Sequence, residues 1–138
     1  MTVVLDSNIV YAGLYSNKGA SHQILKSIGS GKLVPILTVS LYEEYSDILR
    51  RSPLADVVTE DETQRFLDFF CKSAILQDIF FLWRPFLKDP KDDLVLEAAV
   101  ASQSKIIITH NIRDFNGIEK FGIEAMLPGE YLRKESKT

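Results

Sequence analysis

Apolar residues along the chain follow two rhythms. Unbroken runs at 3–5, 33–37 and 106–108, with a weaker one at 122–126, have strand length and no polar alternation. Continuous runs of this kind suit a parallel sheet covered on both faces. Between them, at 21–28, 41–50, 63–76 and 89–104, apolar positions recur with helical spacing. The first of these is closed by Gly29 and Gly31, and the second stops before Pro53. The third carries Phe66, Leu67, Phe69, Phe70 and Ile75, and the fourth is largely Leu, Val and Ala. Strands alternating with helices predict an α/β fold of three layers, α/β/α, around a central parallel sheet. Such sheets bind ligands beyond the carboxyl ends of their strands, so the polar residues there are the candidates for chemistry.

Composition narrows the class. With 138 residues the chain is expected to form one domain over 1–132, followed by a polar, frayed tail at 133–138. Hydrophobic residues at 46% and charged ones at 25% exclude a disordered chain. No apolar run approaches the roughly 18 residues that a membrane-spanning helix needs. The start meets Asp6 after three apolar residues and has no basic leader, so neither a signal peptide nor membrane association is expected, and a cytoplasmic location is the simplest expectation. A single cysteine, Cys71, excludes an internal disulfide and a cysteine zinc cluster, and it reads as a passive thiol. The net charge of −3, from 16 basic and 19 acidic residues, gives no overall pull on a polyanion. Nucleic acid would therefore need a local basic patch or bound cations.

Several acids remain after the structural uses of acids are counted. Asp6 closes the first apolar run, where a turn or helix cap is the competing use. Ser40-Leu41-Tyr42-Glu43 reads as a capping box, which accounts for Glu43. Glu44 lies ~60° from Leu41 and ~40° from Ile48 around the helix, at the border of the apolar stripe, where a carboxylate needs a partner. Asp89-Pro90 reads as an N-cap with proline at the first helical position, and Asp92 as the third-position acid. Asp93 is then surplus, with Glu97 one turn further on, although a solvated acidic face would also account for the pair. Asp114 follows the strand at 106–108, where it could equally cap a turn before Phe115. Assigned together to one sheet edge, these carboxylates would repel one another and protonate unless cations balanced them. Oxygen ligands select Mg²⁺ or Mn²⁺, cations suited to phosphodiester cleavage.

Four blocks in order resemble the PIN-domain ribonucleases, including the toxins of VapC-type toxin–antitoxin systems. They are Val3-Val4-Leu5-Asp6-Ser7-Asn8; Ser40-Leu41-Tyr42-Glu43-Glu44-Tyr45 with Leu49-Arg50-Arg51; Asp89-Pro90-Lys91-Asp92-Asp93-Leu94-Val95-Leu96-Glu97-Ala98-Ala99; and Ile108-Thr109-His110-Asn111-Ile112-Arg113-Asp114-Phe115. The resemblance spans roughly residues 2 to 132. It implies metal-ligand and catalytic roles for Asp6, Glu44, Asp93 and Asp114, with Glu97 as a further ligand candidate. Asn8 and Thr109 would orient the carboxylates or water, and Asn111 stands where some members carry Asp. The implied activity is Mg²⁺- or Mn²⁺-dependent endonucleolytic cleavage of RNA by metal-activated water, leaving 5′-phosphate and 3′-hydroxyl ends. The implied partners are an antitoxin that blocks the site and a second copy of the chain.

Arg113, Lys88, Lys91 and His110 lie near the expected mouth and are candidates for substrate contact, although solvated side chains balancing local acids would look the same. A metal-free acid–base pair of His22 and His110 is disfavoured, because His22 opens a helix. The aromatic set Phe66, Phe69, Phe70, Phe80, Phe81 and Trp83 suits core or subunit contact better than base stacking. A receiver-type module would want paired acids after the first strand and a late lysine. A haloacid-dehalogenase-like phosphatase would want Asp at position 8, where Asn stands. The remaining alternative is a non-catalytic PIN-like RNA-binding or scaffold protein.

Overall fold

The computed structural model describes residues 2–80 and 86–136. Five strands form one sheet: β1 (Thr2–Leu5), β2 (Val34–Leu37), β3 (Ile75–Leu76), β4 (Ile106–Ile108) and β5 (Glu124–Met126). Their order is β3-β2-β1-β4-β5, and all pairs are parallel. Helices α1 (Ser7–Tyr15), α2 (Ala20–Gly29), α3 (Val39–Leu49), α4 (Glu60–Ser73), α5 (Pro90–Ser102) and α6 (Pro128–Ser136) complete an α/β/α sandwich. The core is apolar along β1, β2 and β4, and α5 packs across all three. No described helix is long and apolar enough to cross a membrane.

Strand order positions the site. β1 lies at the centre, and the chain leaves it towards β2 on one side and returns to β4 on the other. The carboxyl ends of β1 and β4 therefore flank the topological switch point, where open α/β sheets leave a crevice. Asp6 directly follows β1 and Thr109 directly follows β4.

Several local expectations change. The chain turns from β2 straight into α3, so Thr38, not Ser40, is the N-cap, and its hydroxyl accepts from the Leu41 N–H at 3.0 Å. Glu43 is exposed and forms no capping box there. The helix expected over 63–76 ends at Ser73, and Ile75 and Leu76 instead pair with Ile36 and Leu37 as an edge strand. Two-residue pairing of this kind is imposed by the neighbouring strand, not by local periodicity. α1 had no helical reading in the sequence, and α6 continues through Arg133–Ser136, part of the expected frayed tail. Tyr131 anchors α6 in the core, which gives the polar helix a reason to persist. Of the aromatic set, Phe70 is buried in the core and stacks edge-on with Tyr45 at 5.4 Å, while Phe80 is exposed. Phe81 and Trp83 lie outside the described residues.

Candidate active site

Asp6 is the most fully anchored acid. It caps α1, with Oδ1 accepting from the Ser7 N–H at 2.8 Å. Its Oδ2 accepts from the Thr109 hydroxyl at 2.7 Å and from the Asn8 amide at 3.3 Å. Thr109 in turn accepts from the Asn111 N–H at 3.0 Å, and Asn8 Oδ1 accepts from the His110 N–H at 3.4 Å. The cap and the candidate ligand are thus one side chain, and capping leaves the second use of Asp6 open. Beneath it, the buried Tyr45 hydroxyl donates to the Leu5 carbonyl at 2.5 Å. Burial, reinforced by the charge of Asp6, keeps that phenol protonated well above the usual tyrosine range.

Burial pushes the Asp6 carboxyl above its ordinary pKa, while the bonds from Thr109 and Ser7 pull it back. Asp114 adds to the rise and His110 opposes it. Substituting Thr109 by Val keeps the shape but removes a charge-assisted bond to a buried carboxylate. We expect Thr109→Val to lose about 2 kcal/mol in urea unfolding. An unchanged midpoint would mean that the hydroxyl does not hold Asp6.

The start of α5 divides its acids differently from the sequence reading. Asp89 is the N-cap, accepting from the Lys91 N–H at 2.9 Å. Asp93 is almost fully buried, and its Oδ1 accepts from the Leu87 N–H at 2.9 Å. Leu87 is itself buried, so its N–H needs that acceptor. Asp93 therefore does the backbone satisfaction that the sequence assigned to Asp92. The half-buried Asp92 faces the other carboxylates: burial first, then the charges of Asp6, Asp114, Asp89 and Asp93, push its pKa up to about 7. Sequence periodicity places Asp92 and Asp93 about 100° apart but does not say which one turns towards β1.

Glu44 and Glu97 have neighbours of their own. Glu44 Oε1 lies 3.7 Å from Lys91 Nζ, which ties the middle of α3 to the first turn of α5. Glu97 is buried and lines a cavity of about 440 Å³ with Thr38, Ser40, Gln77, Phe80 and Leu94, beyond β2 and β3. Neither charge is among those that shift Asp6 or Asp92. Among the described residues, no group of three or more His, Cys, Asp or Glu is drawn together closely enough to hold a metal ion. The structure thus brings Asp6, Asp92 and Asp114 into electrostatic contact, with Asp89 and Asp93 nearby.

On the β4–β5 side of Asp6 a groove of about 480 Å³ is lined by His110, Asn111, Ile112, Arg113, Asp114 and Leu127. It places two candidate substrate contacts beside Asp114. Lys88 is exposed before α5. His110 Nε2 lies 2.8 Å from the Ser21 hydroxyl, whereas His22 Nδ1 donates to the Gly13 carbonyl at 2.9 Å. The two imidazoles have separate partners and form no acid–base pair. Burial raises the Cys71 thiol pKa, and Asp68 adds to the rise, in keeping with a passive side chain.

Comparison with known proteins bears on the fold and the lineage. No curated protein matches the chain. Among solved structures, the chain is similar to one in the crystal structure of VapBC2 from Rickettsia felis bound to a DNA fragment from their promoter. The TM-score is 0.63 at 15% sequence identity, covering 92% of this chain and 98% of that one, a likeness of fold. The PIN domain family matches residues 2–113, from β1 through β4 to the loop that carries Arg113. This chain belongs to the PIN domain family.

Proposed function

We propose that this chain is a Mg²⁺- or Mn²⁺-dependent endoribonuclease and the toxin of a toxin–antitoxin pair. The observation that carries the reading is the convergence of charge at the switch point of a PIN domain, where Asp114 acts on Asp6 and both Asp6 and Asp114 act on Asp92. The donors there are oxygens alone, which fit a hard divalent cation. Such a cation, when bound, neutralises phosphate charge and lowers the pKa of water. In this reading Asp6, locked by Thr109 and Ser7, is the fixed ligand. Asp92 takes the ligand role that the family resemblance gave to Asp93, because Asp92 is the one on which Asp6 and Asp114 act, while Asp93 is almost fully buried and serves the Leu87 N–H. Asp114 completes the set at the groove, and Glu44 acts through its pairing with Lys91. Asn8, Thr109 and Asn111 hold the carboxylates and loop in place. Arg113 and His110 bind RNA phosphates along the groove, with Lys88 adding positive charge.

A proton on Asp92 competes with a cation. Mn²⁺ affinity is therefore expected to climb as pH rises from about 6 to about 8 and then level off. Calorimetric titration checks this, and a flat profile would remove Asp92 from the ligand set. An antitoxin-type protein partner is supported by the VapBC2 assembly in which the similar chain was solved, and a homodimer belongs to the same reading. The separation of the acids among the described residues favours one alternative, a PIN-like protein that binds RNA without cutting it. A panel of structured and unstructured RNAs incubated with Mg²⁺, Mn²⁺ or excess EDTA decides between them. Cleavage that EDTA abolishes supports the nuclease; cleavage indifferent to EDTA refutes the metal role, and cation and RNA binding without cleavage supports the alternative.

A further inference from the structure

Ser21 is the second residue of α2, is 5% exposed, and makes a side-chain contact 89 residues away: its hydroxyl lies 2.8 Å from His110 Nε2. A bare position on α1 permits that contact. A Cβ on Gly13 would lie 2.9 Å from the Ser21 carbonyl oxygen and 2.6 Å from Leu25 Cδ1, so α2 approaches α1 closely only because Gly13 has none. The His110 backbone is fixed separately, by its N–H to Asn8 Oδ1. His110 is thus held at two points, its backbone by Asn8 and its ring by Ser21, both outside its own strand. It lines the Arg113–Asp114 groove, and no described residue is bonded to its Nδ1.

The choice of partner matters chemically. A carbonyl accepts only, so it would force the proton of a neutral imidazole onto Nε2 and leave Nδ1 a lone pair that repels phosphate. A hydroxyl both donates and accepts. With neutral His110, the hydroxyl permits the tautomer in which Ser21 donates to Nε2 and the ring proton sits on Nδ1, whereas the opposite tautomer, with Nε2–H donating to Ser21, leaves a lone pair there. With the imidazolium, Nε2–H donates to Ser21 and Nδ1–H remains. The hydroxyl thus allows an Nδ1–H donor in both charge states, which a carbonyl allows only in the imidazolium. His22, whose Nδ1 donates to the Gly13 carbonyl, lacks this freedom.

We infer that Ser21 is a positioning residue, which orients His110 so that Nδ1–H binds a phosphate of the RNA strand flanking the scissile one. The inference rests on the nuclease reading for its substrate, but its test does not need cleavage. A fluorescent 2′-O-methyl oligoribonucleotide is titrated against wild type, Ser21→Ala, His110→Gln and the double variant, with thermal melts run alongside, and KM and kcat are measured on cleavable RNA. We expect Ser21→Ala and His110→Gln each to weaken oligonucleotide binding about 5-fold, with an unchanged melt, and the double variant to be no weaker than His110→Gln alone. On cleavable RNA the loss should fall on KM, with kcat within about 2-fold. Strictly multiplicative losses, Ser21→Ala binding like wild type, or no binding by wild type would overturn the inference. If wild type binds the probe and the coupling appears but no RNA is cut, the nuclease reading fails while the positioning role stands.

Discussion

Asp92→Asn should cost the proposed nuclease activity at least about 100-fold in kcat/KM while making the cation-free protein more stable at pH 8. The two effects have one origin. Burial and four neighbouring carboxylates hold the Asp92 pKa at about 7, against the ordinary 3.8 of a free aspartate. The folded form therefore keeps a proton that the unfolded chain has already released. Between about pH 4 and pH 7 the native state binds more protons, so stability falls as pH rises through that window and stays low above it. The full shift would correspond to about 4 kcal/mol, but a half-buried group is screened by solvent, and about 1–2 kcal/mol is the reasonable expectation. Asparagine does not titrate, so the variant should gain that amount at pH 8 and nothing below about pH 4. Urea melts at the two pH values measure it. Asp93→Ala should behave in the opposite way, losing about 1–3 kcal/mol because the buried Leu87 N–H is left without its acceptor. If Asp93→Asn, which retains a side-chain oxygen, were as inactive as Asp92→Asn, the assignment of Asp92 would fall.

Gly13→Val is expected to be the most damaging single change to the fold away from the acids. A Cβ there meets the Ser21 backbone carbonyl at 2.9 Å, and a backbone atom cannot step aside as the tip of Leu25 can. Valine adds two further carbons at the same place. Its slightly better helix propensity returns only a few tenths of a kcal/mol, against an overpacking cost of about 3 kcal/mol. For a domain of this size that is a fall in Tm of roughly 10 °C, readable by circular dichroism. Pushing α2 away from α1 also draws Ser21 from His110, so RNA binding should weaken at temperatures where the variant is still folded. A melt within about 1 kcal/mol of wild type would mean that the helices separate at little cost and that the glycine is incidental.

Four of the five strands, the parallel sheet and the α/β/α layering were legible in apolar runs and helical periodicity. Those signals survive because the central strands are buried on both faces and their sequence must be apolar throughout. Asp6 and Asp114 were also legible as site candidates, because Asp6 directly follows β1 and Asp114 lies in the loop after β4, both at the sheet's carboxyl edge, whereas Thr109 became a candidate only through the family resemblance. The segment 75–76 was not legible, since its extended form depends on pairing with β2. Nor was α1, whose Gly13 serves as a helix–helix contact.

By itself, then, the sequence determined which edge of which kind of sheet would carry acids, because strand burial and strand-end position are one-dimensional facts. Tertiary structure alone decided which acids meet. Asp92 and Asp93 are neighbours with the same chemistry, and the rotation of α5 against β1, together with the need of the buried Leu87 N–H, sends one towards the site and the other inward. The same holds for Ser21 and His110: nothing local marks them as partners, and only the close packing of α2 on Gly13 brings them within a hydrogen bond.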